Sequence, residues 1–164
     1  MSDGLEFAAR ATAIGVGATV LIDAWTLLLK RLFGIPSLNF GMVGRWLGHL
    51  AHGRFRHAAI AQAALVRNEL AIGWIAHYAI GIVFAAGLIA IEGLAWARQP
   101  TLLPALLFGL ATVLFPFLVM QPGMGAGFAA SKTPEPARAR LRSLLTHGMF
   151  GIGMYGSAAL TAPF

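Results

Sequence analysis

The stretch LAIGWIAHYAIGIVFAAGLIAI, residues 70–91, holds no Asp, Glu, Lys or Arg and is bracketed by Glu69 and Glu92. About 20 apolar residues in a helix cross a bilayer. Lipid offers no partner to free backbone N–H and C=O groups, so a helix, which satisfies them internally, is the default spanning element. The run is continuous rather than alternating, which excludes a barrel strand. Three further stretches are long and mainly apolar, the first interrupted by Arg10 and Asp23, and together they give expected spans at 7–29, 70–91, 101–120 and 143–162. The predicted fold is therefore all-α: a polytopic membrane protein of four transmembrane helices forming one membrane domain over residues 1–164.

Composition agrees. Of the 164 residues, 58% are apolar and 11% charged, whereas a soluble domain carries about a quarter charged residues. Lipid must cover much of this chain. Cysteine is absent, which excludes disulfides, thiolate metal sites and cysteine nucleophiles. Asp3 and Glu6 precede Arg10, the wrong sign for a leader, and Lys30 and Arg31 follow the first run as a stop-transfer signal. That run is thus expected to stay as a span.

Charge sets the expected orientation. Lys30, Arg31, Arg45, Arg54, Arg56 and Arg67 lie between the first two spans, and Lys132, Arg138, Arg140 and Arg142 between the last two. The other side has Arg10 and Arg98. Basic loops stay in the cytoplasm, so both termini should be extracytoplasmic. The net charge of +6 then serves anionic head groups rather than nucleic acid.

The first cytoplasmic connection is long. Phe40, Val43, Leu47 and Leu50 follow helical spacing, with Arg45, His49 and His52 on another face. Asn39 is the expected cap and Gly53 the expected end. An interfacial amphipathic helix follows, with Arg45, Trp46, Arg54 and Arg56 at lipid head groups. A second short helix is expected over residues 57–66, with Asn68 capping the next span. Glu92, near Trp96 and Arg98, reads as an outer interfacial anchor. The histidines 49, 52 and 57 lack a neighbouring acidic ligand and stand among arginines, so no metal or other cofactor is expected.

Ionisable groups inside a membrane are expensive and need a reason. At 1.5 Å per residue, Asp23 lies roughly 10 Å from Lys30, His77 roughly 12 Å from Glu69, and His147 roughly 8 Å from Arg142. Gln121 sits where the third span nears the cytoplasm. These four share the cytoplasmic half of the core, one from each span. They define a hypothetical ligand or proton site; the competing reading is a polar staple within the bundle. Pro122, Gly123, Gly125 and Gly127 suggest a break in the third span, set against an ordinary glycine-rich helix end. Small residues at i, i+4 occur at Ala9, Ala13 and Gly17, at Gly81 and Ala85, at Gly123 and Gly127, and at Gly153 and Ser157. They suit close helix packing, within one chain or in a homo-oligomer.

Several motifs carry a resemblance. They are Phe33-Gly34-Ile35-Pro36-Ser37-Leu38-Asn39, Val43-Gly44-Arg45-Trp46, Gly73-Trp74-Ile75-Ala76-His77-Tyr78, Gln121-Pro122-Gly123-Met124-Gly125 and Leu144-Leu145-Thr146-His147. Over nearly the whole length the chain resembles the uncharacterised bacterial membrane family of domain of unknown function 2938. The resemblance implies a bacterial inner-membrane location and lends no activity. The leading functional expectation is a structural or accessory membrane protein without turnover. A proton-coupled or small-solute transporter is the alternative, motivated by the intramembrane carboxylate. A membrane enzyme, or a haem- or metal-binding protein, comes third.

Overall fold

The computed structural model describes residues 2–163. Among them every regular element is helical: α1 (Asp3–Phe33), α2 (Phe40–Leu50), α3 (Glu69–Glu92), α4 (Leu94–Arg98), α5 (Leu102–Ala111), α6 (Gln121–Met124) and α7 (Pro136–Thr161). Three segments are long and apolar enough to cross a membrane, Asp3–Phe33, Glu69–Glu92 and Leu102–Met124. The fourth expected span falls inside α7, which has the length but not the apolarity. Arg138, Arg140 and Arg142 occupy its start, and Thr146, His147, Ser157 and several glycines dilute the rest.

The chain forms two compact units. Unit 1 comprises residues 1–37, 78–112 and 145–164; unit 2 comprises residues 38–77 and 113–144. Unit 1 has as many basic as acidic residues, so the net charge of +6 resides entirely in unit 2.

In unit 1 the core is built from Ile14, Leu88, Ile89 and Met154, with Ala11, Ala18, Ala85, Ala105 and Ala158 between them. Small residues let the backbones meet. A Cβ on Gly15 would stand 2.5 Å from the Ile82 Cα, and one on Gly109 would stand 2.5 Å from the Gly151 Cα. The buried face of α1 is Ala11, Ile14, Gly15, Ala18 and Thr19. Ala9 and Ala13, expected in the packing ladder, are exposed instead. Gly17, the third member of that ladder, does pack, since a Cβ there would overlap the Ser157 Oγ, while Gly15 and Ala18 take the places expected of Ala9 and Ala13 against α3 and α7. Gly81 and Gly153 do pack closely, against Thr19 and Ala18. Large apolar side chains point outward, among them Ile91 and Leu160, each more than 70% exposed. A surface of that kind needs lipid or a partner to cover it.

Glu6 ties α1 to α4 in unit 1. Its carboxylate accepts from Arg10 Nε at 2.8 Å and from Arg98 Nε and Nη2 at 2.9 and 2.7 Å. Arg10 Nη1 also donates to the carbonyls of Ala97 and Thr161. Hydrogen bonds to Glu6 hold the Arg98 guanidinium above its usual range. Glu92 is exposed at the end of α3.

Unit 2 begins with the expected cap: Asn39 Oδ1 accepts from the Met42 N–H, opening α2. Gly53 takes a left-handed φ of 78° just beyond its end. The expected helix over residues 57–66 is absent; only a 3-10 turn, Ile60–Gln62, forms there. Its backbone groups are engaged elsewhere. The His57 N–H donates to the Gly123 carbonyl, and the carbonyls of Ile60, Ala61 and Ala63 accept from Arg45 Nη1. Asn68, left-handed at φ 59°, precedes α3, and its carbonyl accepts the Ile72 N–H.

No break opens at Pro122. That residue sits in the first turn of α6, which continues to Gly125, a left-handed cap at φ 95°. The irregularity comes earlier, as a π-helical turn at Pro116–Met120. Pro116 and Pro122 each lack an N–H, so the regular i to i−4 ladder fails on both sides. Beyond α6, Gly127, Ala129 and Ala130 also adopt positive φ, an ordinary if strained exit from a helix.

Candidate functional site

The four polar residues singled out by depth fall two in each unit: Asp23 and His147 in unit 1, His77 and Gln121 in unit 2. In unit 1, α1 carries Asp23 one helical turn beyond the fully buried Thr19. Its Oδ2 accepts from the Tyr78 hydroxyl at 2.9 Å. Both side chains are half-buried. Tyr78 was not singled out from the sequence, although a carboxylate at that depth demands a donor and Tyr78 follows His77 directly.

His147, on α7, stands beside Thr112 at the end of α5. The Thr112 hydroxyl gives its proton to the Gly109 carbonyl, so the 2.7 Å contact with His147 must be an Nδ1–H donated to Thr112 Oγ1. That fixes one tautomer of a neutral ring. The place exists because Gly109 lets α5 come within 2.8 Å of the His147 carbonyl, as measured from a Cβ built on that glycine.

In unit 2, His77 lies against the Phe40 ring, with centroids 4.5 Å apart, and edge-on to Trp74 at 5.8 Å. Gln121 Oε1 is buried without a hydrogen-bond partner.

The most elaborate polar cluster in unit 2 centres on Arg45. Its Nε and Nη2 form a fork on the Glu69 carboxylate at 2.9 and 2.8 Å, while Nη1 collects three carbonyls. Glu69 also accepts the Val66 N–H. Hydrogen bonds to Glu69 raise the Arg45 guanidinium above its usual range, so it is a permanent cation. The α2 and α3 backbones touch beside this pair. A Cβ on Gly44 would overlap the Glu69 carbonyl oxygen, and one on Gly73 would overlap the Phe40 carbonyl oxygen.

Arg45 and Trp46, expected at lipid head groups, therefore face the interior. Trp46 is 3% exposed, donates from Nε1 to the Phe55 carbonyl, and covers Gly123. The reason is the absence of side chains at Gly44 and Gly123, which draws α2 inward. Arg54 and Arg56 are exposed. Gly123 and Gly125 serve close approach: a Cβ on Gly125 would stand 2.8 Å from the His57 carbonyl. Among the described residues no group of three His, Cys, Asp or Glu could enclose a metal.

A family model described as Protein of unknown function (DUF2938) matches residues 12–161. The chain belongs to that family. The match spans Asp23, His77, Gln121 and His147 as well as the motifs that carry the resemblance. No curated protein and no solved structure is significantly similar to this DUF2938 protein.

Proposed function

We propose that this DUF2938 protein is a four-span protein of the bacterial inner membrane, with both termini outside the cytoplasm, and that it acts as a structural or accessory component without turnover. The observation that carries the reading is that three polar side chains within the helices of unit 1 are each bonded to a protein partner. Asp23 holds Tyr78, His147 holds Thr112, and Thr19 returns its hydroxyl to the Gly15 carbonyl. Polar groups bound to neighbours between close-packed backbones resemble staples rather than a chemical centre. The fourth span is α7 from Ser143 onward, whose glycines and Ser157 meet α1 and α5 and so spare it from needing a wholly apolar surface.

The orientation is supported by charge. Unit 2 carries all the net charge, and Arg54, Arg56, Arg67, Lys132 and Arg142 are exposed there with no acidic partner among the described residues. Anionic phospholipid head groups are the proposed counterpart. Fusions of a reporter active only outside the cytoplasm should be active when joined after residue 164 and silent when inserted near Arg56. Activity at Arg56, or silence at the C-terminus, would refute the four-span topology.

A specific observation favours a second reading. A half-buried carboxylate with a phenol donor is also a proton-binding arrangement. The two readings separate at Asp23. For a staple, Asp23→Asn keeps an acceptor for Tyr78 and should leave detergent melts within about 1 kcal/mol of the parent. Vesicles reconstituted with either protein should leak protons no faster than empty ones. Proton or solute flux that disappears in Asp23→Asn would overturn the accessory role in favour of a carrier.

A further inference from the structure

His57 is 7% exposed and sits inside unit 2. Its ring Nδ1 faces the Gly123 carbonyl at 3.3 Å. A carbonyl only accepts, so Nδ1 carries the proton and Nε2 presents a lone pair. That Nε2 is buried and has no hydrogen-bond partner. The His49 ring lies beside it, with centroids 5.0 Å apart and planes at 61°. His49 Nε2 faces the Ala64 carbonyl at 2.9 Å, which by the same logic leaves the lone pair on His49 Nδ1. Two imidazoles thus stand side by side, each donating one ring N–H to a backbone carbonyl and each with its other nitrogen left to ligate. Metal-bound histidines have this arrangement, the second ring nitrogen donating to a carbonyl or carboxylate.

We propose that His49 and His57 form a two-imidazole site for a divalent d-block cation of the copper or zinc class. Imidazole selects these ions over magnesium or calcium. Two metal–nitrogen bonds of about 2.0–2.1 Å at a tetrahedral angle put ring centroids about 5 Å apart, the spacing found. The neighbouring arginines do not oppose a cation as the sequence suggests. Arg45 is neutralised by Glu69, and Arg54 and Arg56 are exposed to solvent. With no third His, Cys, Asp or Glu grouped there among the described residues, water completes the shell, which makes the site exchangeable rather than structural. The alternative occupant of the Nε2 lone pair is a trapped water molecule.

The test is titration of the full chain in detergent with Cu(II), followed by electron paramagnetic resonance. One Cu(II) per chain with hyperfine coupling to two nitrogens is expected, displaced by excess Zn(II). His57→Gln and His49→Gln should each weaken binding by at least about tenfold, and His52→Gln, on an exposed side chain, should not. If His57→Gln fails to fold, His49→Gln on the half-buried ring decides alone, with helicity checked by circular dichroism. No bound Cu(II), a single-nitrogen spectrum, or binding indifferent to His49→Gln would overturn the site and leave water as the occupant.

Discussion

Gly44→Val should be among the most damaging single substitutions in unit 2. The position is helical and its conformation suits any residue, so the damage is steric. A Cβ there overlaps the Glu69 carbonyl oxygen, which belongs to the first turn of α3 and cannot rotate away as a side chain would. The reciprocal contact, Gly73 against the Phe40 carbonyl, pins the same two backbones one turn along. Inserted methyl groups in a packed interior cost about 1–3 kcal/mol, and rigid backbone on the other side puts this case at the upper end. For a chain of this size each kcal/mol corresponds to roughly 2–4 °C. A melt lowered by about 6–12 °C is therefore expected. Gly4→Val, where nothing lies within 4 Å of the added carbon, is the control and should melt near the parent. Equal melts for Gly44→Val and the parent would mean that α2 and α3 do not meet at this contact.

Arg45→Lys should release the segment between α2 and α3 even though the charge is kept. Lysine offers a point charge on a flexible stem and cannot fork onto Glu69 while collecting the Ile60, Ala61 and Ala63 carbonyls. Those carbonyls are why the segment is extended instead of helical. With their donor gone they must turn to water, and Glu69 keeps only one of its two strong partners in the loop, the Val66 N–H. Trypsin provides the readout, since Arg54, Arg56 and Arg67 are exposed within that stretch. Cleavage that requires local opening follows the open population, so nicking there should be several-fold faster in Arg45→Lys than in the parent. Cleavage after Lys132 and Arg142 should change little. An unchanged cleavage pattern would show that the carbonyl contacts of Arg45 do not hold the segment.

What the sequence disclosed and what it hid divide along physical lines. Apolar run length exposed the helices, because burying backbone in lipid is a local requirement met within each run. The Asn39 cap was visible for the same reason, since it is satisfied three residues away. The run 143–162 read as a fourth span, yet α7 falls short of the apolarity of the other three, since glycines, Ser157 and three arginines at its start dilute it. Residues 57–66 looked helical by composition; nothing in that window tells that Arg45, more than a turn back in another helix, takes its carbonyls. Asp23 stood out as an anomaly, but its donor Tyr78 is 55 residues further on, and no local pattern links two residues that far apart. Trp46 was misplaced because a tryptophan beside arginines resembles an interfacial anchor, and only the bare Gly123 opposite shows that the ring points inward.

The touching backbones have a consequence for how this protein should be mapped experimentally. A scan that truncates each residue to alanine removes atoms, and it finds sites by what is lost. At Gly15, Gly44, Gly73, Gly109 and Gly151 the essential quantity is an absence, and alanine there adds the very carbon that the neighbouring strand of main chain excludes. Such a scan, run over side chains alone, would pass over the positions that hold the helices together. Its complement, a scan that adds one methyl group at every glycine, would trace the contacts directly, with Gly4 and Gly156 as the silent background where no neighbour lies within 4 Å.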